Sequence, residues 1–77
     1  MRHKYIAIFG SPLKKLRNAQ NLTQVGLADR CSFAPSYISL LENDMKMPKL
    51  STLFIIAEAL GIKASELVRA IEEYMNK

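Results

Sequence analysis

The sequence predicts an all-α protein of five short helices, and three observations carry that prediction. Apolar residues recur at intervals of three and four, with little of the strict alternation that marks strands. Prolines and small polar residues fall between those runs, where helices start and stop. The chain has 77 residues, 49% hydrophobic and 23% charged. A chain of this size buries only about 60% of the surface it exposes when unfolded, which suffices for one compact core.

Ser11 followed by Pro12 has the form of an N-cap with proline at the first helical position. Helix 1 is expected from there, or from about Ile8 with Pro12 in its first turn, through Leu13 and Leu16 to about Asn21. Thr23 caps helix 2, which runs to Arg30 with Leu27, Ala28 and Cys31 inward. Gly26 inside it costs up to about 1 kcal/mol relative to alanine. Pro35 opens helix 3, Ile38 and Leu41 lie on its inner side, and it stops near Asn43 and Asp44. After a loop that reaches Pro48, the positions Leu50, Leu53, Ile56, Ala57 and Leu60 trace the inward face of helix 4, which Gly61 terminates. Ile62 leads into helix 5, where Leu67, Ile71 and Met75 recur every fourth residue beside Val68 and Tyr74.

Charge is unevenly spread. Residues 1–49 hold eight basic and three acidic side chains, a balance of +5, whereas residues 50–77 hold three and four, a balance of −1. The first part therefore suits a polyanion and the second another task. Cys31 has no disulfide partner and is expected in the core. With His3 as the one histidine, neither a metal site nor a Ser/His/Asp set can be assembled. No carboxylate pair or Gly-rich phosphate loop points to an enzyme, and no cofactor is implied. No apolar run approaches the roughly 18 residues of a membrane span and no signal peptide is recognisable, so a cytoplasmic protein is expected.

Residues 24–43 carry the pattern with the most functional content. Two helices joined by a short turn and crossing steeply need a small residue where their backbones approach, which Ala28 supplies. They also need inward apolar residues to lock the second helix on the first, which Leu27, Cys31, Phe33, Ile38 and Leu41 supply. Leu22-Thr23-Gln24 stands ahead of this pattern and Leu41-Glu42-Asn43 behind it, with Pro48, Leu53, Ala57-x-Ala59-Leu60-Gly61 and Glu66-Leu67 beyond. With these residues the chain resembles the Cro/C1-type (XRE) helix-turn-helix family over about residues 8–68.

The resemblance implies a single five-helix, lambda-repressor-like DNA-binding domain over residues 1–77, in which helix 3 enters the major groove and helix 2 lies across the backbone. It implies that Gln24 sits beside phosphate and base, that Ala34, Pro35, Ser36, Ser39, Leu40 and Asn43 face the groove, and that Arg17 and Glu42 pair between helices 1 and 3. Helical geometry agrees with the groove positions, since residues 36, 39 or 40, and 43 share a face opposite Ile38 and Leu41. Lys46 and Lys49, in the following loop, are phosphate candidates. Arg2, His3 and Lys4 form either an arm into a groove or a frayed tail.

Two departures from the family pattern matter. Pro35, Ser36 and Leu40 stand where Gln or Arg often make paired hydrogen bonds to bases, so direct readout is expected to be thin and supplemented by DNA shape. Leu40 is either a contact to a thymine methyl or else a packing residue or a protein contact. Ser32 stands where glycine is usual in the turn, at a cost of about 1 kcal/mol if the backbone there is left-handed.

Phe54, Ile55, Val68, Ile71 and Met75 offer apolar surface on helices 4 and 5 that suggests a partner. The expectation is a homodimer interface that sets two recognition helices about 34 Å apart on a near-palindromic operator. The alternative is that helix 5 completes the monomer's own core. The expected function is a sequence-specific transcriptional regulator, similar to small phage repressors and to restriction–modification controller proteins, that acts by occluding or by contacting RNA polymerase. A competing class is an antitoxin or adaptor that binds a protein partner through its apolar C-terminal helices.

Overall fold

The computed structural model describes residues 8–76, and among them it has five helices and no strand. These are α1 (Gly10–Ala19), α2 (Gln24–Cys31), α3 (Pro35–Glu42), α4 (Leu50–Ala59) and α5 (Ala64–Met75). The basic segment at residues 2–4 lies outside the described residues. A left-handed residue follows or closes each of the first four helices: Asn21 (φ 57°), Ser32 (φ 58°), Asp44 (φ 56°) and Gly61 (φ 71°). Glycine takes this conformation freely and Asn and Asp tolerate it, whereas Ser32 carries a Cβ in it without that compensation.

Helix starts show which signals are local and which are tertiary. Thr23 caps α2 as its sequence position predicts, accepting the Gly26 N–H at 2.9 Å. Pro35 opens α3. Of the two starts the sequence allows, the cap at Ser11 is corrected: α1 begins two residues earlier than that cap implies, at Gly10 after Phe9, close to the alternative start near Ile8. Pro12 then sits in the first turn, where its missing N–H has no intrahelical partner to lose. The cap arrives from a distance instead, with Asp44 Oδ1 accepting the Gly10 N–H at 2.8 Å. The end of α4 is likewise held from elsewhere, by Gln20 Nε2 donating to the Leu60 carbonyl and Arg30 Nη1 to the Ala59 carbonyl.

α2 packs on α3 and α4, α1 on α3 and α5, and α4 on α5. The core joins Phe9 and Leu13, the α2 triad Leu27, Ala28 and Cys31, the pair Ile38 and Leu41, then Ile56, Ala57, Leu60 and Leu67. Each fully buried leucine or isoleucine contributes about 1.5–3 kcal/mol of transfer free energy, and this burial is what orders such short helices. Cys31 is buried, and burial pushes its thiol pKa up, so it behaves as a small apolar residue.

Leu50 corrects the inward face assigned to helix 4, being 70% exposed. It is the first residue of α4, and because helical side chains tilt toward the N-terminus, its side chain projects past the end of the packed surface. Ile71, by contrast, is half-buried and packs against the core.

Candidate nucleic-acid interface

The left-handed turn at Ser32 sets α3 against α2, and the Phe33 N–H donates to the Ala28 carbonyl at 2.9 Å to close it. Phe33 and Tyr37 then stack edge to face, centroids 5.2 Å apart. Ile38 and Leu41 lock the inner side of α3, with no exposed surface. The residues left on the outer side are Ser36 and Asn43, both exposed, with Ser39 and Leu40 half-buried between them. Ala34 and Pro35 are exposed at the start of the helix. Asn43 is not free: its Nδ2 donates back to the Ser39 carbonyl at 3.0 Å.

α3 is anchored by a buried charge network. Arg17 Nε donates to Glu42 Oε2 at 2.6 Å and Nη2 to Oε1 at 3.0 Å, while Nη1 donates to the Leu22 carbonyl at 2.7 Å. The two side chains are 8% and 2% exposed. Gln24 Nε2 adds a third donor to Glu42 Oε1 at 3.0 Å. One carboxylate thus ties together α1, the start of α2 and the end of α3. Burial pushes the Glu42 carboxyl up, but hydrogen bonds from Arg17 and Gln24 and the charges of Arg17 and Lys14 outweigh it and hold it below its ordinary value. The hydrogen bond to Glu42 raises the Arg17 pKa against the opposing effect of burial. No buried side-chain nitrogen or oxygen among the described residues lacks a partner.

Lys46 and Lys49 are both exposed in the segment that follows α3. The loop begins with the Met45 N–H bonded to the Leu40 carbonyl at 2.9 Å. Sequence reasoning passed over four features here. Met45 and Met47 interleave with the lysines, Met45 at 71% exposure. Tyr37 is half-buried, packed against the core and Phe33. Gln24 donates to Glu42, which only the packed structure reveals. Arg30 bonds α4 rather than standing free.

A second surface lies across α4 and α5. Leu50, Leu53, Phe54, Ala64 and Val68 line an open groove of about 690 Å³, rimmed by Lys63, Arg69 and Glu72. Phe54 is 58% exposed, and Ile55 is exposed beside it over Ile62. Met75 is half-buried at the last turn of α5. Of the five apolar residues singled out in the sequence, Phe54, Ile55 and Val68 are exposed, while Ile71 serves the core. Among the described residues no cluster of metal-ligating side chains occurs, and no helix is long and apolar enough to cross a membrane.

A helix-turn-helix family model matches residues 13–67. The chain is 42% identical over 59 residues to the immunity repressor protein of Bacillus phage phi105, a match covering 77% of this chain and 41% of the repressor. It is 36% identical over 66 residues to an uncharacterized helix-turn-helix-type transcriptional regulator of Sinorhizobium fredii, covering 86% of each. The solved restriction–modification controller protein C.AhdI from Aeromonas hydrophila superposes with a TM-score of 0.77 at 31% identity, over 84% of this chain and 98% of that one. The chain therefore spans less than half the length of the phage repressor, and most of the other two.

Proposed function

The chain belongs to the Cro/C1-type helix-turn-helix family of DNA-binding transcription regulators, and from that premise we propose that it binds a two-fold-symmetric operator as a homodimer, with α3 in the major groove of each half-site. The observation that carries this reading is the two-sidedness of α3. Its inner row is wholly buried, while Ser36 and Asn43 are exposed and Leu40 half-buried on a helix that Glu42 pins to α1 and α2. In this reading Lys46 and Lys49 flank the groove and engage phosphates, joined by Gln24 through the amide hydrogen that its bond to Glu42 leaves over, and so fix register while α3 reads the bases.

The apolar groove of Leu50, Phe54 and Val68 supplies the dimer interface, joined by Ile55. Two-fold association through α4 and α5 sets the recognition helices about one DNA turn, roughly 34 Å, apart. A dimer seated on a promoter excludes RNA polymerase, which gives repression as the simplest output. The same groove also favours a second reading, an antitoxin or adaptor whose partner is another protein. The mass of the isolated chain separates the two, since a stable dimer already has this surface occupied.

Selection of bound duplexes from a random library at about 0.15 M salt, where non-specific phosphate attraction is largely screened, tests the proposal. The expected result is a two-fold-symmetric motif with half-sites about one turn apart. Recovery of no motif contradicts it.

A further inference from the structure

Resting on the reading of α3 as the groove-facing helix, we infer that each operator half-site is read through the C5-methyl group of a thymine packed against Leu40, in place of paired hydrogen bonds to a base edge.

The hydrogen-bonding inventory of this face is small and largely committed. An amide side chain reads adenine by aiming its oxygen and nitrogen together at the base. Asn43 Nδ2 already donates one of its two hydrogens to the Ser39 carbonyl at 3.0 Å, so aiming both amide atoms at an adenine competes with that bond. Gln24, the other amide near the face, donates to the buried Glu42 carboxylate. Ser36 and Ser39 offer hydroxyls that both donate and accept, and so discriminate weakly between bases.

Leu40 is the large side chain that remains. It is half-buried, yet it belongs neither to the buried core cluster nor to the residues packed against it. It lies four residues after Ser36 and three before Asn43, midway along the outer face and toward one flank of it. Its backbone is fixed by the Met45 N–H bonded to its carbonyl at 2.9 Å. The major groove offers an isobutyl group one apolar feature, the thymine methyl. A 5-methylcytosine presents the same methyl, but a library synthesised without that base leaves thymine as its source.

The test takes the motif recovered by selection and replaces each thymine in turn by uracil, which removes the methyl and leaves the pairing edge intact. Burial of one methyl corresponds to about fourfold in affinity, so a two-fold-related pair of replacements is expected to weaken binding about fifteenfold. The same replacements are expected to leave Leu40→Ala binding unchanged, with the helical circular dichroism of that variant showing that it remains folded. A motif indifferent to uracil contradicts the inference alone, and so does an equal loss in both proteins. A library that yields no motif contradicts the operator reading and the inference with it.

Discussion

Arg17 grips Glu42 through two nitrogens, at 2.6 Å and 3.0 Å, in a pair almost closed to solvent. Removing one member of such a pair leaves an uncompensated buried charge, at a cost of about 3–5 kcal/mol. That is a large share of the roughly 5–15 kcal/mol that holds a domain folded. Arg17→Ala is therefore expected to lower the urea midpoint steeply. Replacing both partners, Arg17→Met with Glu42→Leu, is expected to recover most of the loss, because no charge is then left buried.

Acid weakens the same network. Glu42 titrates below its ordinary 4.5 in the folded chain, so between the two values the unfolded chain binds more protons. Its contribution is fully present above about 4.5 and is lost as the pH falls through the lowered folded value. Urea midpoints measured from neutral to acid pH are expected to decline over that window, and Glu42→Gln is expected to start lower and decline less.

Ser32 closes α2 at φ 58° and ψ 37°, where a side chain costs about 1 kcal/mol that glycine avoids. Ser32→Gly is expected to raise Tm by about 4–8 °C. An unchanged or lower Tm contradicts the assignment of strain to this turn.

Much of this architecture is legible in the sequence, and the parts that are not share a cause. The α2–α3 pair is readable because Leu27, Ala28, Ile38 and Leu41 repeat at helical spacing and because Thr23 caps its own helix. The α1 cap is not, since Asp44 lies 34 residues from Gly10. Nothing local marks Gly10 either, although a Cβ there would come within 2.1 Å of the Glu42 carbonyl oxygen. Leu50 fits the periodicity of α4 yet falls beyond the packed surface, because spacing does not say where a neighbour ends. At the candidate site the shared face of Ser36, Leu40 and Asn43 follows from helical spacing. The Gln24 bond to Glu42 does not, because it joins residues 18 apart in the chain that only packing brings together. The Asn43 bond to Ser39 is local to α3 but uses one of several rotamers open to an exposed side chain.

Phe54 is 58% exposed at the rim of the α4–α5 groove, so a charge there is compatible with the monomer fold and incompatible with an apolar interface. Phe54→Glu is expected to halve the mass seen by light scattering while the helical signal is kept. Loss of the linked second half-site is expected to weaken operator binding about a hundredfold or more. A variant that remains dimeric moves the interface elsewhere.

The claim that α3 lies in the groove of both half-sites is tested most directly by tethered cleavage. An iron chelate is attached to Ser36→Cys in a Cys31→Ala background, and the selected operator is mapped for strand breaks. The account predicts two cleavage clusters, one within each half-site and about one helical turn apart, that are absent when the chelate is carried at Glu73 on α5 instead. Cleavage spread evenly along the duplex, or a pattern shared by both attachment sites, contradicts it.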